Sequence, residues 1–99
     1  MSEADLLRTL TVDDFVSHLG QPFVVTAEGR AVILSLQSAE VSRLMAHAGR
    51  QGFSLVFAGE ASLAQGMHTV GHPTLGDMEL FLVPIGPCAL GLQYEAIFN

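Results

Sequence analysis

The chain contains no lysine and no tryptophan, a single cysteine, and few charges of either sign. All its fixed positive charge comes from Arg8, Arg30, Arg43 and Arg50, set against ten carboxylates for a net charge of −6. A nucleic-acid binder needs a basic footprint to neutralise phosphates. This balance excludes that class, and it opposes an anionic membrane surface for the same reason. Without lysine there is no Schiff-base chemistry and no phosphate-cradling Walker motif, and the dinucleotide pattern G-x-G-x-x-G is also absent. The lone Cys88 excludes an intrachain disulfide and fits a reducing compartment. No apolar run is long enough to span a bilayer. The N-terminal Met-Ser-Glu-Ala-Asp has neither the basic nor the apolar region of a secretory leader, so a cytoplasmic location is expected.

What the chain does have is apolar content. Apolar residues are 49% and charged residues 14%, the latter well below the ~25% of ordinary soluble domains. A length of 99 residues predicts one domain with a real core. So few charges leave part of the surface to be covered by a protein partner or by self-association.

Residues 1–10 read as a lead-in. Thr11 to Leu19 reads as one helix. Thr11 caps it, Asp13 and Asp14 occupy the dipole-favoured first turn, and Val12, Phe15, Val16 and Leu19 form an apolar stripe. Gly20 and Pro22 end it. Strands follow at about 23–27, 31–41, 53–58, 67–72, 78–85 and 92–98. Glu28-Gly29 is a tight turn, Met45 to Gly52 a polar surface loop, Gly59 to Gly66 a second loop, and Gly86 to Gly91 a turn holding Pro87 and Cys88. Pro84 marks an edge or a bulge, because proline donates no ladder hydrogen bond. Met78 to Ile85 is apolar on both faces, as a strand buried between layers or inside a curled sheet would be. The predicted class is mainly β (α+β): about six antiparallel strands in a curled, barrel-like sheet with one short N-terminal helix. Glycines at the strand ends favour the barrel over a sandwich.

Candidate chemistry is thin. His68 and His72 share a strand face, with Asp77 and Glu79 following, but residues i and i+4 of a strand lie about 13 Å apart, too far to share a metal. Cys88 has no nearby base to activate it. Asp13 and Asp14 serve the helix dipole, and Glu79 and Glu95 fall on strands expected to be neighbours. Tyr94 alternates with Leu92, Ala96 and Phe98, which predicts a core ring with its hydroxyl reaching a partner at the rim. No catalytic, cofactor or metal residue is assigned.

The blocks L-T-V-D-D-F (Leu10 to Phe15), F-S-L-V-F-A-G, Q-G-M-H-T-V-G-H-P-T-L-G, L-F-L-V-P-I-G-P and Y-E-A-I-F-N (Tyr94 to Asn99) together resemble a family of small bacterial domains of unknown function. The resemblance covers nearly the whole chain from Leu10. It implies no activity. Some such domains are encoded beside phage-tail-collar-like proteins, which implies a tail-associated, assembly or accessory role. The chain departs from the family pattern at His68, where an aromatic is usual, and at Cys88, where an acidic residue is usual. Both departures weaken catalytic readings there. Gln65-Gly66 and His72-Pro73 match the pattern and read as turn hardware.

The expectation is therefore a non-enzymatic structural or protein-interaction domain, with no nucleic-acid or membrane partner. The candidate structural or interaction positions are Gln65, His72, Pro73, Tyr94, Met78, Leu80 and Leu82. A small barrel holding a hydrophobic ligand at its open end is the alternative, and a minimal metal-dependent hydrolase using His68, His72, Asp77 or Glu79 a third.

Overall fold

A computed structural model describes residues 10–47 and 50–98. The predicted lead-in over residues 1–9 lies outside them. One short helix, α1 (Val12–Val16), precedes six strands: β1 (Pro22–Ala27), β2 (Arg30–His47), β3 (Arg50–Gly59), β4 (Gly66–His72), β5 (Gly76–Cys88) and β6 (Gly91–Phe98). All neighbouring pairs are antiparallel, and the sheet closes as a barrel in the order β1-β2-β3-β6-β5-β4. The predicted mainly-β class with one short helix is what the structure shows.

The barrel is built from two three-stranded meanders. The link from β3 to β4 is not a hairpin. It crosses the barrel mouth, so that β3 pairs with β6 and β4 pairs with β1. Tyr94 pins this crossing. Its hydroxyl donates to the Ala61 carbonyl at 2.8 Å and accepts from the Leu63 N–H at 2.8 Å. Both lie in the crossing segment, and Leu63 is buried there.

Local chemistry sets the corners. Glu28 and Gly29 both have positive φ, 52° and 75°, the signature of the two-residue turn whose twist matches the flanking strands. The β5–β6 register slips between Pro84 and Gly86, the bulge that Pro84 announces. Beyond the slip Gly86, Pro87 and Cys88 continue in strand, paired with Gln93, Leu92 and Gly91. The turn is therefore Ala89-Leu90, not the whole of Gly86 to Gly91. The bulge absorbs the missing proline N–H and lets pairing resume.

Two further expectations are corrected. Met45–His47 and Arg50–Gly52 are strand, not loop: β2 and β3 pair out to Ser42↔Gly52 and His47↔Arg50. The last rung shared with β6 among the described residues is Phe53↔Phe98, and the β2–β3 register shifts between Ser42 and His47, so this extension of the hairpin is irregular. The helix is also shorter than the stripe implies. After Val16 the hydrogen bonds tighten to i→i−3, His18 to Phe15 at 2.8 Å and Leu19 to Val16 at 3.3 Å. That winding turns the stripe, leaving Val16 and Leu19 exposed while Phe15 is wholly buried. The helix start is as expected: the Asp14 carboxylate accepts from the Thr11 N–H at 2.8 Å.

Alternation along the strands fills the interior. Phe23, Val25, Leu34, Leu36, Leu55 and Phe57 point inward from the first meander, and Val70, Met78, Leu82 and Tyr94 from the second, all essentially inaccessible. Phe15 closes the helix end, its ring 5.8 Å from Phe53 and 5.6 Å from Phe98. The opposite end lies under the crossing segment.

Candidate functional site

Two features stand apart from the core. The first is a polar knot at the helix end of the barrel. Gln21, between α1 and β1, places its side-chain oxygen 2.8 Å from His72 Nε2 and 2.9 Å from His18 Nδ1. The Thr74 N–H donates to His72 Nδ1 at 3.1 Å. With Nδ1 accepting, Nε2 carries the hydrogen, and His72 donates to Gln21. An amide oxygen only accepts, so His18 donates as well. The rings of His18 and His72 lie 4.2 Å apart, and Phe23 packs on His72 at 4.7 Å.

Among the described residues His72 is the one buried polar side chain. Burial pushes its imidazole below the ordinary value of 6.5, and the neighbouring His18 pushes it further the same way. The unfolded chain takes up a proton near pH 6.5 that the folded barrel resists. The contribution of His72 is therefore complete above about pH 6.5 and is lost as pH falls from there through the lowered folded value. Thermal unfolding between about pH 7.5 and 5 should show a melting temperature that drops with acid, and His72→Gln should flatten that slope. An equally steep slope in the variant would assign the acid sensitivity elsewhere.

The second feature is the outer wall. Strand positions facing out should be polar on a solitary barrel, yet here they pair apolar with apolar. Val24 stands opposite Ile33, 44% and 56% exposed, and Met67 opposite Phe81, 59% and 48% exposed. Ile85 and Ile97 add to the exposed set. An open groove enclosing about 500 Å³ lies beside Ile33, lined by Ser35, Ala58, Gly59, Glu60, Ala61 and Leu90. A smaller depression of about 260 Å³ lies against Val24, Gly71, His72, Pro73 and Asp77.

A chain with this barrel can be placed by family. The sequence model of a domain of unknown function, DUF6916, matches residues 10–98. The chain belongs to DUF6916. No curated protein and no solved structure matches it. In this DUF6916 domain no helix among the described residues is long and apolar enough to cross a membrane.

The candidate positions separate within the DUF6916 barrel. Met78, Leu80 and Leu82, named as structural or interaction positions, point inward and are buried in the barrel. The two-faced strand divides instead into an inner row of these three and an outer row that includes Phe81 and Ile85. Tyr94 is buried and serves the crossing segment. His72 joins the polar knot, with the exposed Pro73 starting the turn beside it. Gln65 is exposed just before β4.

The readings built on His68 find their residues apart. His68 Nε2 bonds the Ala64 carbonyl at 2.7 Å, while His72 bonds Gln21. Glu79 stands opposite Thr69 and accepts its hydroxyl at 2.6 Å, and Glu95 stands opposite Val83. Asp77 stands opposite Gly71. Among the described residues no three His, Cys, Asp or Glu side chains gather as metal ligands would. His18 and Gln21 were not singled out by sequence, because the partner that gives them meaning is 51 residues beyond Gln21.

Proposed function

We propose that this DUF6916 domain is a non-enzymatic structural module that docks protein partners on the outer wall of its barrel, as an accessory of an intracellular assembly of the phage-tail type. The observation that carries the reading is the cross-strand pairing of Met67 with Phe81 on the solvent face, each about half exposed. Directly opposed apolar side chains on an outer wall gain nothing from water, and they supply the centre of a docking patch. The low charged fraction supports the same reading. The ligand-holding alternative draws no support from the interior, which is occupied by the domain's own side chains.

The test is co-purification of the chain with the products of its neighbouring genes, using wild type and the double variant Met67→Ser, Phe81→Ser. The expected result is a partner retained by the wild type and released at least ~10-fold more readily by the variant, at similar melting temperature. Equal retention by both proteins would remove the wall from the interface. Retention of no neighbouring product, together with a monomeric mass, would end the interaction reading.

A further inference from the structure

The outer row of β5 changes character along its length. It begins with Asp77 and Glu79 and continues with Phe81, Val83 and Ile85. Phe81 and Ile85 are about half exposed, and Met67 of β4 stands beside Phe81. On the other side Val83 faces Glu95 of β6, which in turn faces Val56 of β3. Ile97 lies two residues past Glu95 on the same face of β6, again half exposed. The wall marked by Met67 and Phe81 is therefore wider than that pair. It is an apolar surface over β4, β5 and β6 with carboxylates set into it.

These carboxylates are laid against the wall. The Asp77 carboxylate lies over Gly71, in the space a Cβ would take. Glu79 accepts the Thr69 hydroxyl at 2.6 Å. The cross-strand neighbours of Asp77, Glu79 and Glu95 are Gly71, Thr69, Val83 and Val56, none of them a cation. Among the described side chains Arg30 is the one arginine, and it stands opposite Ala27 at the β1–β2 turn. A second copy docking on this wall through its own would bring the same carboxylates to the contact, on a chain of net charge −6. Like charges set against each other across an interface exclude the wrong partner, and opposite charges select the right one.

We propose that this wall takes a foreign amphipathic helix whose apolar stripe is flanked by arginine or lysine, and not a second copy of the chain. A sheet face is covered by an element that presents one apolar stripe. The row from Phe81 to Ile85 extends about 13 Å, about two turns of helix at 5.4 Å a turn. The stripe meets Met67, Phe81, Val83 and Ile85. Its flanking cations meet Glu79 at the end of the row and Glu95 at its side. The inference rests on the interaction reading and names the chemistry of the partner.

Two dye-labelled helical peptides test this, each with a leucine stripe, one flanked by arginines and the other by glutamates. Fluorescence anisotropy on the full chain should show the arginine peptide bound at least ~10-fold more tightly, with the difference narrowing in high salt. Glu79→Gln with Glu95→Gln should cut that preference below ~3-fold at similar melting temperature. Asp13→Asn with Glu60→Gln removes the same charge from the helix and the crossing segment, and should leave the preference in place. Met67→Ser with Phe81→Ser should weaken both peptides. Light scattering should give the 10.5 kDa monomer. The proposal is overturned by equal binding of the two peptides, by binding of neither, or by a preference that survives loss of Glu79 and Glu95. A dimer broken by the two serines overturns it as well. If those serines release a co-purified partner while the peptides show no preference, the wall stands and its selection by charge falls, so the two readings fail separately.

Discussion

Phe15→Ala should destabilise the barrel by about 3–5 kcal/mol, the cost of removing a fully buried aromatic ring. For a domain of this length that lowers the melting temperature by more than about 10 °C. A helix of five residues cannot hold itself together in water, so its place depends on what it inserts. Phe15 is its only fully buried side chain. It leans on Phe53 and Phe98, whose rings stack on each other at 4.5 Å and 9°. Phe53 and Phe98 also form the last β3–β6 rung among the described residues. Taking out Phe15 thus opens the helix end of the barrel. The contrasting variant is Leu19→Ala. Leu19 belongs to the same apolar stripe in sequence, but it is 44% exposed, so its loss should stay within about 0.5 kcal/mol. Thermal unfolding followed by circular dichroism reads both. Comparable losses at the two positions would mean that the stripe stays in register and that both side chains meet the barrel.

Much of this fold is legible because it is local. Six strands, the Glu28-Gly29 turn, the Asp14 cap and the Pro84 bulge each follow from residues within a few positions of one another. The β3–β4 crossing does not. A six-residue link is as compatible with a hairpin as with a span over the mouth, and the choice is made by β6 returning to pair with β3. Met78 to Ile85 was ambiguous for a related reason. Apolar residues at every position but Glu79 leave period two with little contrast, so closure of the barrel tells the inner Met78, Leu80 and Leu82 from the outer Phe81. Met45 to Gly52 reads as loop because it is polar and punctuated by glycine, whereas its strand residues are set by pairing across the hairpin. The polar knot joins His18, Gln21 and His72 across 51 residues between Gln21 and His72. A histidine just past a helix and another before a proline were its only sequence traces.

These features bear on one another. The helix plug and the polar knot share one end of the barrel, while the crossing segment, the Tyr94 anchor and the groove share the other. His72 therefore sits at the end away from the groove. Acid should loosen the helix end first, because His72 is held there.

Gly91→Ala should be nearly as damaging as Phe15→Ala, for a different reason. Gly91 has φ of +124°, where a side chain strains the backbone by about 1–3 kcal/mol. A methyl group there would also strike the Gly59 carbonyl oxygen, and it would lie 2.9 Å from the Gly59 carbonyl carbon and 3.0 Å from Glu60 Cα. All three are backbone atoms at the end of β3 and the start of the crossing segment, so none can swing aside as a side chain would, and forced overpacking adds about 1–3 kcal/mol. Gly76→Ala isolates the first effect: its φ is +79°, but nothing lies within 4 Å of the added carbon. The expected order is Gly91→Ala well below Gly76→Ala in melting temperature. Gly59, Glu60 and Leu90 also line the groove, so the same clash bears on its shape. If both variants melt alike, the close approach of β6 to Gly59 is relieved at no cost, and the groove can widen without loss of the barrel.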